Sequence, residues 1–390
     1  MDNHENIGIY FTTSVCKKLK IYIVNLITIY NTKQIINKMN NTNVKSPVSW
    51  LCSSITNINL SYKGLTELPN LSRFTNLTHL YCNNNKLTEL PDLSQYTSLT
   101  HVYFNHNYLK KIPKLPPKIK QLYCVFNQLT ELPDLSQYTN LEVLCCSNNE
   151  LPELPELPPN VNTIHCSYNP LKILPKLNIK LKVLQCNHGL LRELPELNAK
   201  LEYLECFDNK ITELPEFNDN LKYLQCSHNR LTRLPVFNAN LEYVHCSYNE
   251  ITYIPIFNEK LQIFNCSVNR LINLPPFNKE LYRFHCNDNQ LTDLPILTDN
   301  LKSLYFKNNC IKYLNNRDDI NTIKHKQTIL TKGKRLLCNL KIKYKFHNWL
   351  WEHIRQRLMQ ERYHPSKLIQ LLSNTEDDDT DSLCNIINEW

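Results

Sequence analysis

One stretch of this chain repeats itself, and the repeat limits the fold more than any other feature. Leu221, Leu224, Cys226, Asn229, Leu231, Leu234, Pro235 and Phe237 return twenty residues later as Leu241, Val244, Cys246, Asn249, Ile251, Ile254, Pro255 and Phe257. The unit reads L-x-x-L-x-C-x-x-N-x-L-x-x-L-P-x-(L/F). It begins at Ile55, Leu77, Leu99, Ile119, Leu141, Val161, Leu181, Leu201, Leu221, Leu241, Leu261, Leu281 and Leu301. Those from Ile55, Leu77 and Ile119 run 22 residues; the other ten are spaced by 20 or end the array. A unit this short cannot bury its own apolar side, so stability comes from stacking on neighbours and the fold grows in one dimension.

The fourth and sixth positions are apolar. That alternation predicts one short strand per unit with one buried face. Stacked units then form a parallel sheet with strands about 4.8 Å apart, roughly 60 Å long for thirteen units. Asn fills the ninth position in eleven units: Asn85, Asn107, Asn127, Asn149, Asn169, Asn209, Asn229, Asn249, Asn269, Asn289 and Asn309. The chain turns inward there, and a carboxamide offers the stranded backbone groups both a donor and an acceptor. Lys63 and Gly189 are the exceptions; Lys63 falls in the first unit, and Gly189 marks an expected irregularity.

The pattern resembles the leucine-rich repeat family, L-x-x-L-x-L-x-x-(N/C)-x-L at 20–29 residues. The resemblance covers about two-thirds of the chain. It implies an α/β solenoid: a leucine-rich-repeat horseshoe with a parallel sheet on its concave face. Pro in the L-P-x-(L/F) segment fixes φ and lacks a donor. Extended or polyproline-like segments are therefore expected on the convex side, with a short 3₁₀ turn at Phe74, Tyr96 and Tyr138 of the longer units. Short LP-containing repeats also occur in bacterial effectors, some with a ubiquitin-ligase domain, but no segment of suitable length or motif follows the repeats here.

The chain has 16 cysteines, and ten hold the sixth position: Cys82, Cys124, Cys146, Cys166, Cys186, Cys206, Cys226, Cys246, Cys266 and Cys286. Leu60, Phe104 and Phe306 take the same slot, which marks it as buried and apolar. A disulfide ladder or metal chain is the competing reading. The neighbours His165–Cys166, His245–Cys246 and His285–Cys286 leave the strand on opposite faces and form no catalytic pair. With no nucleophile–base pair, phosphate loop or metal set in view, neither a catalytic residue nor a cofactor is assigned.

The outward positions are rich in Tyr, His, Asn and Gln and poor in Lys. Such a face suits recognition, because tyrosine supplies rigid contact area with a polar tip. The candidate partner-binding residues are His79, Tyr81, His101, Tyr103, Tyr123, His165, Tyr203, Tyr223, Tyr243, His245, His285 and Tyr305, centred on Tyr203, Tyr223 and Tyr243. The expected partner is a protein or peptide, not a small-molecule substrate. Strand propensity and AT-rich codon usage are the competing explanation. His79, His101 and His106 lack a carboxylate, so no metal site is assigned.

Net charge is +8, yet residues 55–314 carry 25 basic and 24 acidic groups. The repeat body therefore shows no overall attraction for nucleic acid. Residues 1–45 form a basic and apolar segment, capping or disordered, and 46–54 an N-terminal cap. The apolar run 21–30 is too short to span a bilayer and lacks a cleavage site, so secretion is not expected, although it could anchor weakly at a membrane surface. Met39 is an alternative start. Residues 315–375 read as a basic helical region and 376–390 as an acidic tail. Residues 320–346 hold eight Lys or Arg and no acid, which leaves nucleic-acid contact open. Phe346, Trp349, Leu350, His353, Ile354 and Leu358 follow helical spacing, and Pro365 suits the start of a second helix. These helices are expected to cap the array or to recruit effector machinery, including that of ubiquitination. Trp349, Leu350, Trp351, Arg355, Tyr363, His364, Pro365 and Leu368 resemble a C-terminal motif of giant DNA virus proteins, which implies a mimivirus-like source and a place in host cytoplasm or virion.

Overall fold

In the computed structural model, residues 55–353 are described, with side chains to 346. The expected N-terminal cap, the second C-terminal helix and the acidic tail lie outside the described residues. Two units divide the chain at Ile320.

The first unit is a solenoid in which each repeat supplies one three-residue strand. These are β1 (Asn57–Asn59), β2 (His79–Tyr81), β3 (His101–Tyr103), β4 (Gln121–Tyr123), β5 (Val143–Cys145), β6 (Thr163–His165) and β7 (Val183–Gln185). They continue as β8 (Tyr203–Glu205), β9 (Tyr223–Gln225), β10 (Tyr243–His245), β11 (Ile263–Asn265), β12 (Arg283–His285) and β13 (Ser303–Tyr305). The thirteen strands form one sheet in sequence order. Neighbours are parallel and pair like with like, as Tyr203↔Tyr223 and Tyr223↔Tyr243 show. Every equivalent side chain is thereby stacked on its counterpart one strand away.

First-, fourth-, sixth- and eleventh-position side chains fill the interior. Leu221, Leu224, Cys226 and Leu231 are completely buried, and the pattern runs from Ile55 to Leu291. Towards the C-terminal coils the filling becomes aromatic: Phe264 and Phe284 replace the fourth-position Leu, and Phe257 and Phe277 lie 5.0 and 4.7 Å from them, centroid to centroid. The ten sixth-position thiols are free and buried. Several donate to a carbonyl of the next coil, as Cys166 Sγ does to Gln185 O at 3.3 Å.

Three polar ladders close the coils. At the ninth position, Asn249 Oδ1 accepts from Leu231 N at 3.0 Å, while Nδ2 donates to Cys226 O and Cys246 O at 3.0 and 3.1 Å. The same set recurs at Asn85. At Gly189 a Cβ would meet Asn209 Oδ1 at 2.7 Å and Asn169 O at 3.4 Å. Asn209 there still accepts from Leu191 N and donates to Cys186 O and Cys206 O. A second ladder uses the seventh position, where Asn83 Oδ1 accepts from Asn105 N and Asn105 Oδ1 from Val125 N, at 2.9 and 2.8 Å. A third stands on the opposite side of the coil, where Asn218 Nδ2 donates to Asn198 O at 2.7 Å and Asn238 Nδ2 to Asn218 O.

The turn into the ninth position needs a left-handed residue in every coil. The eighth residue has φ between 52° and 59° from Tyr62 through Val268 to Asn308. Asn, Asp and His tolerate this conformation; Tyr, Phe and Val do not, at a cost of about 1 kcal/mol or more each.

The longer units make short 3₁₀-type turns at the expected residues. Phe74 N bonds to Leu71 O and Leu77 N to Phe74 O, at 2.9 and 3.0 Å. The two bonds are three residues apart rather than consecutive, so each 22-residue unit makes two single turns. Phe74, Tyr96 and Tyr138 sit between them with their rings buried.

The second unit contributes one described helix, α1 (Ile320–His353), 34 residues long. Asp319 stands at its N-cap position, a favoured residue there. Among the described residues, no helix is long and apolar enough to cross a membrane.

Candidate interaction surface

The sheet has one buried and one outward face because the strands are three residues long and the middle one points in. The outward third and fifth positions are mostly half-buried by their own neighbours. The candidate residues do not form one continuous ladder; they fall into blocks.

The first block spans β2–β4. His79 and His101 stack at 4.1 Å with ring planes 8° apart, and Tyr81, Tyr103 and Tyr123 stack at 4.6 and 4.8 Å. Thr78 Oγ1 lies 3.0 Å from Thr56 O and 2.9 Å from His79 Nδ1, and Thr100 repeats the arrangement with Thr78 O and His101. A hydroxyl has one proton; given to the carbonyl, it leaves the threonine oxygen to accept from Nδ1–H. Burial, then neighbouring His79, holds the His101 pKa below the ordinary histidine value.

The second block spans β8–β10, where Tyr203, Tyr223 and Tyr243 stack at 4.1 and 4.3 Å with planes within 6°. Their hydroxyls are held: Tyr203 OH donates to Glu205 Oε1, and Tyr223 OH to Gln225 Oε1 at 2.9 Å. Glu205 Oε2 also accepts from Gln185 Nε2 and Asn187 Nδ2, at 3.1 and 2.9 Å. Burial and the Glu205 carboxylate push the Tyr203 phenol up to about 12, and burial and Tyr243 push Tyr223 up as well. Both stay neutral hydrogen-bonding groups at any physiological pH.

Between the blocks the face is plainer. His165 is half-buried on β6, beside the thiol of Cys145 on β5. Cys145 holds an outward fifth position, yet the residue is only 4% exposed. Beyond β10, His245 Nε2 meets Ser247 Oγ at 2.8 Å and Asn265 Nδ2 at 3.0 Å. Burial, then His285 and His228, lowers its pKa, and an imidazole nitrogen accepting an amide proton is neutral. His285 and Tyr305 meet edge-on at 4.5 Å, and Tyr305 is half exposed on the last strand.

Continued past the strand, the alternation would turn the seventh position outward, but it does so only in some coils. Ser167, Asn187, Ser227 and Ser247 are buried. Their side chains face the ladder, and Ser167 Oγ accepts from Asn187 N at 3.1 Å.

The buried thiols are no nucleophiles. Burial pushes Cys166 and Cys206 up to about 12 and the rest of the sixth-position set higher, so thiolate is negligible near neutrality. Among the described residues, no group of three or more His, Cys, Asp or Glu is placed to hold a metal.

One three-residue strand per coil, parallel stacking in register, an apolar filling and an asparagine-closed turn together define a parallel β-solenoid of the kind seen in leucine-rich-repeat structures. Residues 75–117 match the family model for leucine-rich repeats, in two copies. The chain is similar to the leucine-rich effector protein YopM of Yersinia pestis, at 28% identity over 76% of this chain and 98% of that one, TM-score 0.61. It is also similar to the functional domain of InlJ from Listeria monocytogenes, which includes a cysteine ladder, at 25% identity over 67% and 69%, TM-score 0.51. The leucine-rich-repeat protein FLRT2, solved in an octameric complex with Latrophilin 3 and Unc5D, shares the fold at 19% identity over 64% and 90%, TM-score 0.52. No curated protein matches the chain.

Proposed function

We propose that this chain is a non-enzymatic scaffold that binds a protein or peptide across the concave face of its horseshoe, centred on Tyr203, Tyr223 and Tyr243. The observation that carries the reading is the order of that block. Three rings are stacked in register with two hydroxyls already bonded within the sheet. Side chains fixed before binding lose little entropy on contact, which is how rigid aromatic anchors contribute affinity. Leucine-rich-repeat proteins bind protein partners, as the FLRT2 complex illustrates. On its composition and the Trp349-to-Leu368 string, the scaffold belongs to a giant DNA virus and engages a host protein in the cytoplasm.

A displayed peptide library selected on the full chain tests the placement. Binders are then measured against a Tyr223→Ala/Tyr243→Ala double variant. Loss of two anchoring rings is expected to weaken them by roughly 10- to 100-fold. Unchanged affinity removes the block from the binding surface.

A second reading has its own observation. The described part of α1 carries eight Lys or Arg and no acid between 320 and 346, largely exposed. That charge supports nucleic-acid contact, and a gel shift abolished by raised salt is its signature. Recruitment of effector machinery through the C-terminal helices predicts instead that residues 315–390 capture protein without the repeats.

A further inference from the structure

The left-handed eighth position holds a second row of rings. A glycine takes this backbone conformation freely, whereas bulky side chains resist it, yet seven of the thirteen coils place a ring there. Six of the seven are paired one coil apart: His106 on Phe126 at 4.4 Å, Tyr168 on His188 at 4.0 Å, and His228 on Tyr248 at 4.1 Å. Stacking offsets the backbone cost for these. The seventh, Tyr62, has no such return. It is 76% exposed, and among the described residues no ring lies against it. Strain kept at an exposed side chain without an internal contact points to a function for it.

The row has a period. Single non-aromatic residues, Asn84, Asn148 and Asp208, interrupt it every third coil, and a ring stands on either side of each. At the first interruption there is a cavity of about 290 Å³ that runs from Tyr62 past His106 to Phe126 and is lined between them by Asn83, Asn84, Asn105 and Val125. Tyr62 and His106 are two coils apart, roughly 9.6 Å along the sheet. Rings in this row stack at 4.0–4.4 Å, so one planar ring fits between them and two do not. The oxygens of Asn83 and Asn105 are engaged by backbone amides, which leaves their Nδ2 groups as donors lining the cavity. At the second interruption Phe126 and Tyr168 likewise flank a single asparagine, Asn148, and are 48% and 52% exposed. The third is closed, because Asp208 Oδ2 is bonded to His188 Nδ1 at 2.5 Å.

The two open slots are three coils apart, roughly 14 Å. An extended polypeptide advances about 13–14 Å in four residues and returns its side chain to the same face. We infer that this edge of the solenoid binds an extended segment of a partner protein with aromatic residues four apart, one ring between Tyr62 and His106 and the next between Phe126 and Tyr168. The asparagine amides of the first slot donate to the segment's backbone carbonyls. This surface is distinct from the Tyr203–Tyr243 block, so either stands if the other fails.

The test is fluorescence polarisation on the full chain with a labelled, otherwise Ser/Thr peptide holding two tryptophans four residues apart. Moving the second tryptophan by one residue turns it to the opposite face and should weaken binding roughly tenfold or more. Tyr62→Gly should lose a similar factor while the melting temperature holds or rises, since glycine relieves the left-handed backbone. Asn84→Phe fills the slot with a ring of its own and should abolish binding with the fold intact. Failure of the peptide to bind overturns the inference. So does equal affinity for either spacing, or for Tyr62→Gly. A uridine oligonucleotide that binds more tightly than the peptide, and weakens with Tyr62→Gly, replaces the polypeptide with a nucleobase as occupant.

Discussion

Replacing Asn249 by Ala isolates what the ninth-position ladder contributes. Asn249 is buried, accepts from Leu231 N at 3.0 Å, and donates to Cys226 O and Cys246 O at 3.0 and 3.1 Å. The two carbonyls keep a second partner, since Asn229 Nδ2 reaches Cys226 O at 3.2 Å and Asn269 Nδ2 reaches Cys246 O at 3.0 Å. Leu231 N loses the bond it makes to the asparagine side chain. The loss is therefore one orphaned buried donor, about 1–3 kcal/mol, plus two net hydrogen bonds at about 0.5–1.5 kcal/mol each. The expected destabilisation is roughly 2–6 kcal/mol, read as the midpoint shift in urea unfolding followed by circular dichroism. Asn249→Asp is the informative companion. It keeps the shape and the acceptor for Leu231 N, but it turns the donor nitrogen into an oxygen facing two carbonyls. It should cost at least as much as Ala. A loss below about 1 kcal/mol for both would refute the ladder as a source of stability, because the orphaned buried donor alone is worth at least about that much.

Two further outcomes follow from the same geometry. Gly189→Ala puts a Cβ 2.7 Å from Asn209 Oδ1 and should destabilise by about 1–3 kcal/mol, visible as a lower melting temperature; an unchanged or higher one would mean that Asn209 shifts freely. His101, His165, His245 and His285 all have pKa values lowered by burial, so the unfolded chain takes up protons that the folded one refuses. Stability is complete above the unfolded histidine value of about 6.5 and declines as pH falls from there towards the folded values. Melts at pH 7.5 and 5.5 should show the drop, and His245→Gln should reduce it; a flat profile would contradict the burial of these rings.

The repeat made the fold legible because each unit spells the same decision. A Cys at 226 exchangeable with Leu or Phe in other coils marks an inward slot, and an Asn every twenty residues marks a turn whose backbone needs a partner. Other features were hidden for physical reasons. The left-handed eighth position is hidden because Tyr62, Phe126 and Val268 are residues that ordinarily avoid it; only Asn84, Asn148, Asp208, Asp288 and Asn308 hint at it. The seventh position looked outward by alternation, but the strand ends at the fifth residue, and beyond it Ser227 and Ser247 turn inward. The opposite-side ladder has a visible signal in the twenty-residue spacing of Asn178, Asn198, Asn218, Asn238, Asn258 and Asn278. Cys145 follows the outward rule of its position and is still buried, because Tyr123 and His165 flank it with larger side chains. The division of the outward face into two ring blocks depends on which rings meet across strands, and composition alone does not show that.

Residue-resolved thiol alkylation of the native chain tests the inward–outward alternation most directly. Cys310 and Cys338 are exposed and should label within minutes, while Cys82, Cys124, Cys146 and the other interior cysteines through Cys286 should label only after denaturant is added. Labelling of the interior set at the rate of Cys338 in native buffer would contradict it, and with it the outward placement of Tyr81 and Tyr123 beside Cys82 and Cys124 and of Tyr203, Tyr223 and Tyr243 three residues before their cysteines.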